Sequence, residues 1–193
     1  MWIDTQGFKE VSKELKRMRD AQVPAITKAI DDAAVFGKNL AVDKIFNKFG
    51  YKSKSYVEDT FFVSIHPNDL TAHISARFRA TSLTRMAKPR YRTGKKGQSV
   101  LNGYDVSAYK NQPVWFKGAF TIIGQNGNQV MFMRKRKDNS WRKIGKQKAK
   151  KAGTKDQKPL YGPSVWGAFK YMRDDIEPPI IKHLRERYGH HAK

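Results

Sequence analysis

The hydrophobic positions in the N-terminal part of the chain follow a helical period. Apolar side chains recur every three to four positions over residues 5–20, and again from Ile26 to Phe49 after Pro24. This spacing is typical of amphipathic helices, and proline fits the first helical turn. We predict a helix over each stretch, the second ending at Gly50. Gly37 within it predicts close packing or a bend.

A period of two replaces the helical period over residues 60–78. TFFVSI is β-branched and aromatic, and DLTAHISARF places Ala72, Ile74, Ala76 and Phe78 on one face. Both patterns predict strands. A second β group spans residues 103–134, where WFKGAFTIIG and QVMFMR flank an Asn-Gly pair, the strongest short hairpin signal.

Two stretches show no periodicity of hydrophobic residues. Residues 81–103 predict a long polar loop or an extended basic arm, and residues 143–158 predict a basic linker. A C-terminal helix follows over residues 164–189, with an interruption at Pro178-Pro179. The order of elements predicts an α+β fold: N-terminal helices over 5–50, an antiparallel sheet over about 60–135 with long basic arms, and a C-terminal helix packed on the sheet. We expect a single domain over residues 1–193.

The cassette KPLYGPSVWGAF begins that helix. Gly162 permits a turn, Pro163 fixes φ, and Ser164 can cap the helix that starts beside it. The four-residue spacing of Tyr161, Val165 and Phe169 fits a helix pinned onto the sheet. A phosphate-binding loop fits less well, since no Gly-Lys-Ser/Thr follows. The residues expected to form this scaffold junction are Phe120, Tyr161, Gly162, Pro163, Ser164 and Trp166.

Composition limits the classes of function. The 193 residues include no cysteine, which excludes disulfides, thiol catalysis and Cys-based zinc sites. Neither a signal peptide nor a membrane span is expected, because the N-terminus has no apolar core region and no apolar run reaches eighteen residues. The formal net charge of +22 suits nucleic acid, an acidic protein ring or an anionic membrane surface.

The positive charge is concentrated in the middle of the chain. Arg90-Tyr91-Arg92 is a cation–aromatic–cation triplet, which can hold a phosphate backbone while the ring stacks on a base or sugar. Trp141 has a similar basic setting. The alternatives are an acidic protein partner or a solvated arm. The predicted interface or DNA-proximal residues are Arg85, Lys88, Arg90, Tyr91, Arg92, Lys95, Lys96, Arg134, Arg136, Trp141 and Arg142.

Catalytic and metal-binding patterns are weak. The five histidines form no His-x-x-x-His pair, and Asp31-Asp32 and Asp174-Asp175 lie on predicted helices among basic residues. Such carboxylates are typical of a solvated, salt-bridged face; the alternative for Asp31-Asp32 is contact with a basic arm of a neighbouring subunit. No Gly-x-Ser-x-Gly motif is present. We therefore expect no enzyme activity, no metal and no cofactor.

Several segments together resemble one family, over about residues 8–187. They are Leu83 and Met86 after an alternating strand, Lys117-Gly118-Ala119-Phe120, Val130 to Arg134, and Leu160-Tyr161-Gly162-Pro163-Ser164-Val165. In this order they resemble the minor tail protein Z family, the tail-completion proteins of long-tailed bacteriophages. The basic linker is longer here than that family leads us to expect.

The resemblance implies a small, basic, non-enzymatic virion protein, made in the host cytoplasm. It would finish the tail tube at the head-proximal end and help form the head–tail joint and DNA passage. The implied assembly is a homo-hexameric ring. Its partners would be the tail terminator, tail tube and head-completion (neck) proteins, with possible contact to genomic DNA and none to membrane.

Two other interpretations of the function stay open. A basic, non-enzymatic nucleic-acid-binding protein agrees with the charge, although no RRM, KH or helix-turn-helix signature is present. The salt dependence of binding discriminates between this interpretation and the tail-completion role. Binding to phosphates weakens steeply as salt rises, whereas a packed protein interface persists. A nuclease would need a carboxylate or histidine constellation. Loss of DNA cleavage on replacing Asp174 and Asp175 would support it.

Overall fold

The computed structural model describes residues 22–124, 127–134 and 157–192. These residues confirm the α+β prediction. The predicted helix over residues 5–20 lies outside the described residues, as does the predicted linker 143–158 up to residue 156. The linker prediction is wrong for residues 157 and 158, which begin the strand Gln157–Gly162. The helices are α1 Val23–Lys48, α2 Lys54–Glu58, α3 Val165–Tyr171 and α4 Arg173–His191, and the strands are β1 Phe61–His66, β2 Thr71–Ala76, β3 Thr81–Ser82, β4 Ala87–Thr93, β5 Ser99–Ser107, β6 Pro113–Lys117, β7 Phe120–Ile123, β8 Gln129–Arg134 and β9 Gln157–Gly162.

The described strands form three antiparallel sheets, with the orders β1-β2, β3-β9-β8-β7 and β4-β5-β6. The chain divides into two compact units. The first unit takes segments Met1–Asn47, Ser53–Arg79 and Ser164–Lys193, and the second takes Lys48–Lys52 and Ala80–Pro163.

The first unit is built around the apolar stripe of α1. Its buried members include the predicted Ile26, Ile30 and Ile45. A Cβ placed on Gly37 would lie 2.7 Å from Ile74 Cδ1 of β2 and 2.8 Å from Ile180 Cδ1 of α4. Gly37 therefore marks close packing, one of its two predicted roles. Each fully buried isoleucine contributes about 1.5–3 kcal/mol of transfer free energy.

The β1–β2 hairpin carries the C-terminal helices of this unit. Ala72, Ile74 and Ala76 are buried as their alternation predicted, whereas Phe78 lies beyond β2 and is exposed. The ring of Phe61 contacts that of Phe169 edge-on, with 5.3 Å between centroids. This contact places α3 on the hairpin and confirms a C-terminal helix packed on a sheet.

The predicted interruption at Pro178-Pro179 is wrong, because α4 continues through both prolines. The break lies instead at Met172, between α3 and α4. A helical proline lacks the N–H that would reach the carbonyl four residues earlier. For Pro179 that carbonyl belongs to Asp175, and Lys44 Nζ of α1 donates to it at 2.9 Å. A tertiary hydrogen bond thus supplies the donor that the proline lacks.

The second unit combines the sheets β3-β9-β8-β7 and β4-β5-β6. Strands β7 and β8 form the predicted hairpin, and Gly127 has the positive φ of 72° that such a turn requires. The run WFKGAFTIIG is divided into β6 and β7 by Gly118, whose φ is 74°. The core of the unit includes the buried side chains Leu83, Met86, Ala87, Val106, Phe116, Met131, Phe132, Met133 and Leu160.

The loop prediction for residues 81–103 is wrong. This stretch forms β3, a 3-10 helix at Leu83–Met86, all of β4 and the start of β5. Strands β4 and β5 pair as an antiparallel hairpin. Side chains from Lys88 to Thr93 are exposed on both faces of β4, so no hydrophobic alternation marks the strand.

Gly50 does not end α1 as a left-handed cap, since its φ is not positive. Its N–H donates to Ala108 O at 3.2 Å, and a Cβ placed on it would lie 1.9 Å from Ser107 O. A close approach of two backbone segments, rather than a turn, therefore requires glycine here.

The cassette is the point at which the chain leaves one unit and enters the other. Tyr161 and Gly162 end β9, opposite Ser82 and Thr81 of β3. Ser164 Oγ accepts a hydrogen bond from Gly167 N at 3.0 Å, which confirms it as the helix cap. Tyr161 belongs to β9, so it does not share the helix face of Val165 and Phe169 as predicted. The boundary between the two units falls between Pro163 and Ser164.

Candidate functional site

A bulge in β5 decides which side chains of the second unit share a surface. Pro89 pairs with Tyr104, and Tyr91 pairs with Leu101, so β5 has one more residue than β4 between these pairs. Gly103 takes up the irregularity with a φ of 108°, a conformation that favours glycine. A Cβ on Gly103 would also lie 2.2 Å from Phe116 O.

The pairing places a row of cations on one face of this sheet. Lys88 lies opposite Asp105, which lies opposite Trp115 of β6. Side chains two residues apart in a strand share a face, so Arg90 and Arg92 join Lys88. Lys117 joins Trp115 in the same way. We call this surface the cationic face: Lys88, Arg90, Arg92 and Lys117 around Trp115.

Trp115 is the centre of the cationic face. The guanidinium carbon of Arg90 lies 4.7 Å from the centroid of its ring, and Lys117 Nζ lies 5.5 Å from it. Both distances lie within the range of cation–π attraction. Trp115 Nε1 donates to Asn102 O in the bulge at 3.2 Å, so the polar edge of the ring is satisfied. Trp115 as a whole residue is 39% exposed.

One carboxylate moderates the charge of this face. Arg90 Nη1 lies 3.4 Å from Asp105 Oδ1, and about half of the Arg90 side chain is exposed. An exposed ion pair of this kind is worth at most about 1 kcal/mol. Arg90 can therefore exchange this partner for another anion at little cost.

A second group of cations adjoins the first. Lys52 N donates to Arg85 O at 2.9 Å, which brings the segment before α2 against the 3-10 helix Leu83–Met86. Partial burial lowers the pKa of the Lys52 ammonium, and the positive charges of Arg85 and Lys88 lower it further. We call Lys52, Arg85 and Lys88 the Lys52 cluster. It shares Lys88 with the cationic face.

The structure separates some of the predicted interface residues. Tyr91 points away from Arg90 and Arg92, because neighbouring residues of a strand alternate between faces. The aromatic partner of Arg90 is Trp115 instead. Lys95 and Lys96 lie in the turn between β4 and β5, and Arg134 ends β8. The predicted Arg136, Trp141 and Arg142 lie outside the described residues.

Sequence reasoning missed Lys52, Trp115 and Lys117 as members of this surface. Trp115 and Lys117 come from β6, 25 and 27 residues after Arg90 in the chain. A hairpin register from β4 to β6 would have revealed them, but β4 was not recognised. Lys52 is separated from Arg85 by the whole of α2, β1 and β2, and no local pattern connects the two.

The scaffold residues divide between the units. In the second unit, the Phe120 ring stacks on Phe132 with 6.1 Å between centroids, and Tyr51 Oη donates to Pro163 O at 3.4 Å. In the first unit, Trp166 N donates to Arg77 O at 3.3 Å, and the ring of Trp166 meets Phe78 edge-on.

The carboxylates support a structural role. Arg187 Nε donates to Asp32 Oδ2 at 2.6 Å, and His191 Nε2 lies 3.0 Å from the same oxygen. The hydrogen bond with His191, followed by that with Arg187, lowers the pKa of Asp32. Asp174 and Asp175 lie in the first turn of α4, where negative charge is favourable.

Across residues 22–124, 127–134 and 157–192, no group of three or more His, Asp or Glu side chains is arranged to hold a metal ion. Within the same ranges, no helix has the length and apolar character needed to cross a bilayer.

Comparison with known proteins adds no further information. No protein-family model matches the chain, and neither a curated protein nor a solved structure is significantly similar to it.

Proposed function

We propose that this chain is a non-enzymatic structural protein that completes the head-proximal end of a phage tail. It assembles there as a ring and helps to form the head–tail joint and the DNA passage. The observation that carries the proposal is the exposed β4–β5 hairpin, together with the segments that resemble tail-completion proteins. Hairpins of this kind suit a subunit that contacts copies of itself.

The end of the hairpin exposes apolar side chains on both faces. Tyr91 is 58% exposed, and its partner Leu101 and the adjacent Val100 are each 39% exposed. This end of the hairpin is two-stranded, because β6 pairs with β5 at Gly103–Ser107. A two-stranded ribbon is at best marginally stable in water without further packing. Docking on a neighbouring subunit would bury these side chains and support the ribbon. We call Tyr91, Val100 and Leu101 the hairpin tip.

A ring follows from such a contact by symmetry. When the hairpin of one subunit docks on a different surface of the next, the interface is heterologous and closes into a ring if the rotation allows. Six copies are expected from the family resemblance. The tail tube, tail terminator and head-completion proteins would bind the two faces of the ring, and the assembled protein would belong to the virion.

Native mass spectrometry of the purified full-length chain tests ring formation. The informative variant is Tyr91→Ser with Leu101→Ser, and the control is Ile123→Ser. Ile123 ends β7 in another sheet and is 66% exposed, so its replacement also removes an exposed apolar group. We expect a ring mass, centred on six copies, for the unmodified chain and the control, and smaller species for the hairpin variant. A wild-type chain that stays monomeric at every concentration would contradict the ring.

A further inference from the structure

The cationic face and the Lys52 cluster form one strip of positive charge, because Lys88 belongs to both. Its cations come from the segment before α2, the 3-10 helix, β4 and β6. They are Lys52, Arg85, Lys88, Arg90, Arg92 and Lys117. Asp105 contacts this strip through Arg90. Six basic residues thus contribute to one surface of the second unit.

The spacing of the cations is regular. Lys88, Arg90 and Arg92 occupy alternate positions of one strand, so their Cα atoms lie about 6.6 Å apart. A row of this kind places charges at even intervals along an extended line. Linear polyanions with evenly spaced charges fit such a row better than a compact anion does.

The Lys52 cluster indicates a binding surface for anions. Partial burial lowers the pKa of the Lys52 ammonium, and the positive charges of Arg85 and Lys88 lower it further. Like charges held together in the free protein raise its free energy, and a bound anion relieves this repulsion. A phosphate group bound near Lys52 would favour its charged form.

Trp115 gives the strip a preference that positive charge alone does not provide, namely for ligands with a planar group that can stack. Its ring is held by the hydrogen bond to Asn102 O and flanked by two cations, and the residue is partly exposed. A planar base can stack on such a ring, displacing a flanking side chain to the phosphate beside it. Stacking needs an unpaired base, because the bases of a duplex are covered by their neighbours.

We propose that this strip binds single-stranded nucleic acid, with phosphates along the cations and a base stacked on Trp115. The proposal goes beyond the ring-forming role and uses different residues from the hairpin tip. Its test needs only the purified chain and a probe, so it can fail while the proposed tail role stands, and the reverse also holds.

The first experiment measures fluorescence anisotropy of a labelled oligothymidylate titrated with the full-length chain over a series of salt concentrations. The strip variant is Lys88→Gln with Arg90→Gln. The control, Lys28→Gln with Arg185→Gln, removes the same charge from exposed positions on α1 and α4. Outside these four positions the basic residues are the same in both variants, so their contribution cancels in the comparison.

Each single-strand phosphate contact contributes about 0.7 to the slope of log affinity against log salt. We therefore expect the strip variant to lower the slope by about 1.4 and the control to lower it much less. Equal slopes for the two variants would overturn the proposal. Thermal unfolding of both variants checks that each is folded before the slopes are compared.

The second experiment separates base stacking from charge. We expect Trp115→Ala to weaken oligothymidylate binding by about tenfold with little change in salt slope, and Trp115→Phe to retain most of the affinity. Binding to a duplex of the same length should be the same for all three proteins. A polyglutamate peptide that displaced the probe as well as an unlabelled oligonucleotide would instead identify an acidic protein surface as the partner. That result, or an unchanged Trp115→Ala variant, would overturn the proposal.

Discussion

Replacing Gly162 with valine tests the packing beneath the end of β9. A Cβ placed on Gly162 would lie 2.9 Å from Leu83 Cδ2 and 3.5 Å from Met86 Sδ. Leu83 is 6% exposed and Met86 is 3% exposed, so neither side chain can move aside into solvent. Valine therefore has to displace part of the core beneath the 3-10 helix.

The expected cost is the difference between two effects. Overpacking a filled core costs about 1–3 kcal/mol. Valine in a strand regains up to about 1 kcal/mol over glycine, because it fits the pleated surface better. We expect Gly162→Val to lose about 1–2 kcal/mol, which lowers the melting temperature by about 2–8 °C in a protein of this size. Gly162→Ala adds a single methyl group and should lose less.

Thermal unfolding followed by circular dichroism measures the shift, and the yield of folded protein should fall with it. The matched control is Gly94→Val. A Cβ on Gly94 would also lie 2.9 Å from a side-chain methyl, Val100 Cγ2, but Val100 is 39% exposed and can yield. We expect the control to melt closer to the unmodified protein. Equal melting of Gly162→Val and the unmodified chain, or equal losses in both variants, would refute the packing argument.

Two further predictions concern the other close contact and the carboxylate network. Gly50→Ala should lose at least about 2 kcal/mol in denaturant unfolding, since its Cβ would meet a backbone atom, Ser107 O, that cannot rotate away. Asp32→Asn should lose about 0.5–1 kcal/mol at neutral pH, because the Asp32 side chain is 37% exposed. The folded state lowers the pKa of Asp32, so its contribution is present above the unfolded pKa of about 3.9 and disappears as pH falls through the folded pKa. The stability difference between Asp32→Asn and the unmodified chain should therefore shrink below about pH 4. A difference that grows as pH falls would contradict a lowered pKa of Asp32 in the folded state.

The segments that the sequence predicted well have one buried and one exposed face. The stripe of α1 and the alternation of Ala72, Ile74 and Ala76 are of this kind. Burial on one side imposes a period on the residue types, and the period can be recognised without the structure. The β7–β8 hairpin was also predictable, because its turn chemistry is local.

The segments that were missed lack such a local signal. Strand β4 is exposed on both faces beyond Ala87, so nothing selects alternating residue types. At Pro179 the carbonyl of Asp175 accepts a hydrogen bond from Lys44, which lies far away in the chain. The proline rule is correct for an isolated helix and is overridden here by tertiary structure.

The candidate surface was predictable only in part. Clustered charge identified Arg85, Lys88, Arg90 and Arg92, because a run of cations is visible in any sequence. The position of Trp115 depends on a register across three strands and on the bulge at Gly103. Neither follows from composition or spacing.

Co-sedimentation of the full-length protein with purified, DNA-free phage tails tests the central proposal most directly. The measurement is made at low salt and repeated near 0.5 M salt, where contacts between phosphates and cations weaken steeply. A tail-completion protein held by packed protein interfaces should remain with the tails at both salt concentrations. Release at high salt, or absence of tail binding together with tight, salt-sensitive DNA binding, would contradict the proposed role and favour a nucleic-acid-binding protein.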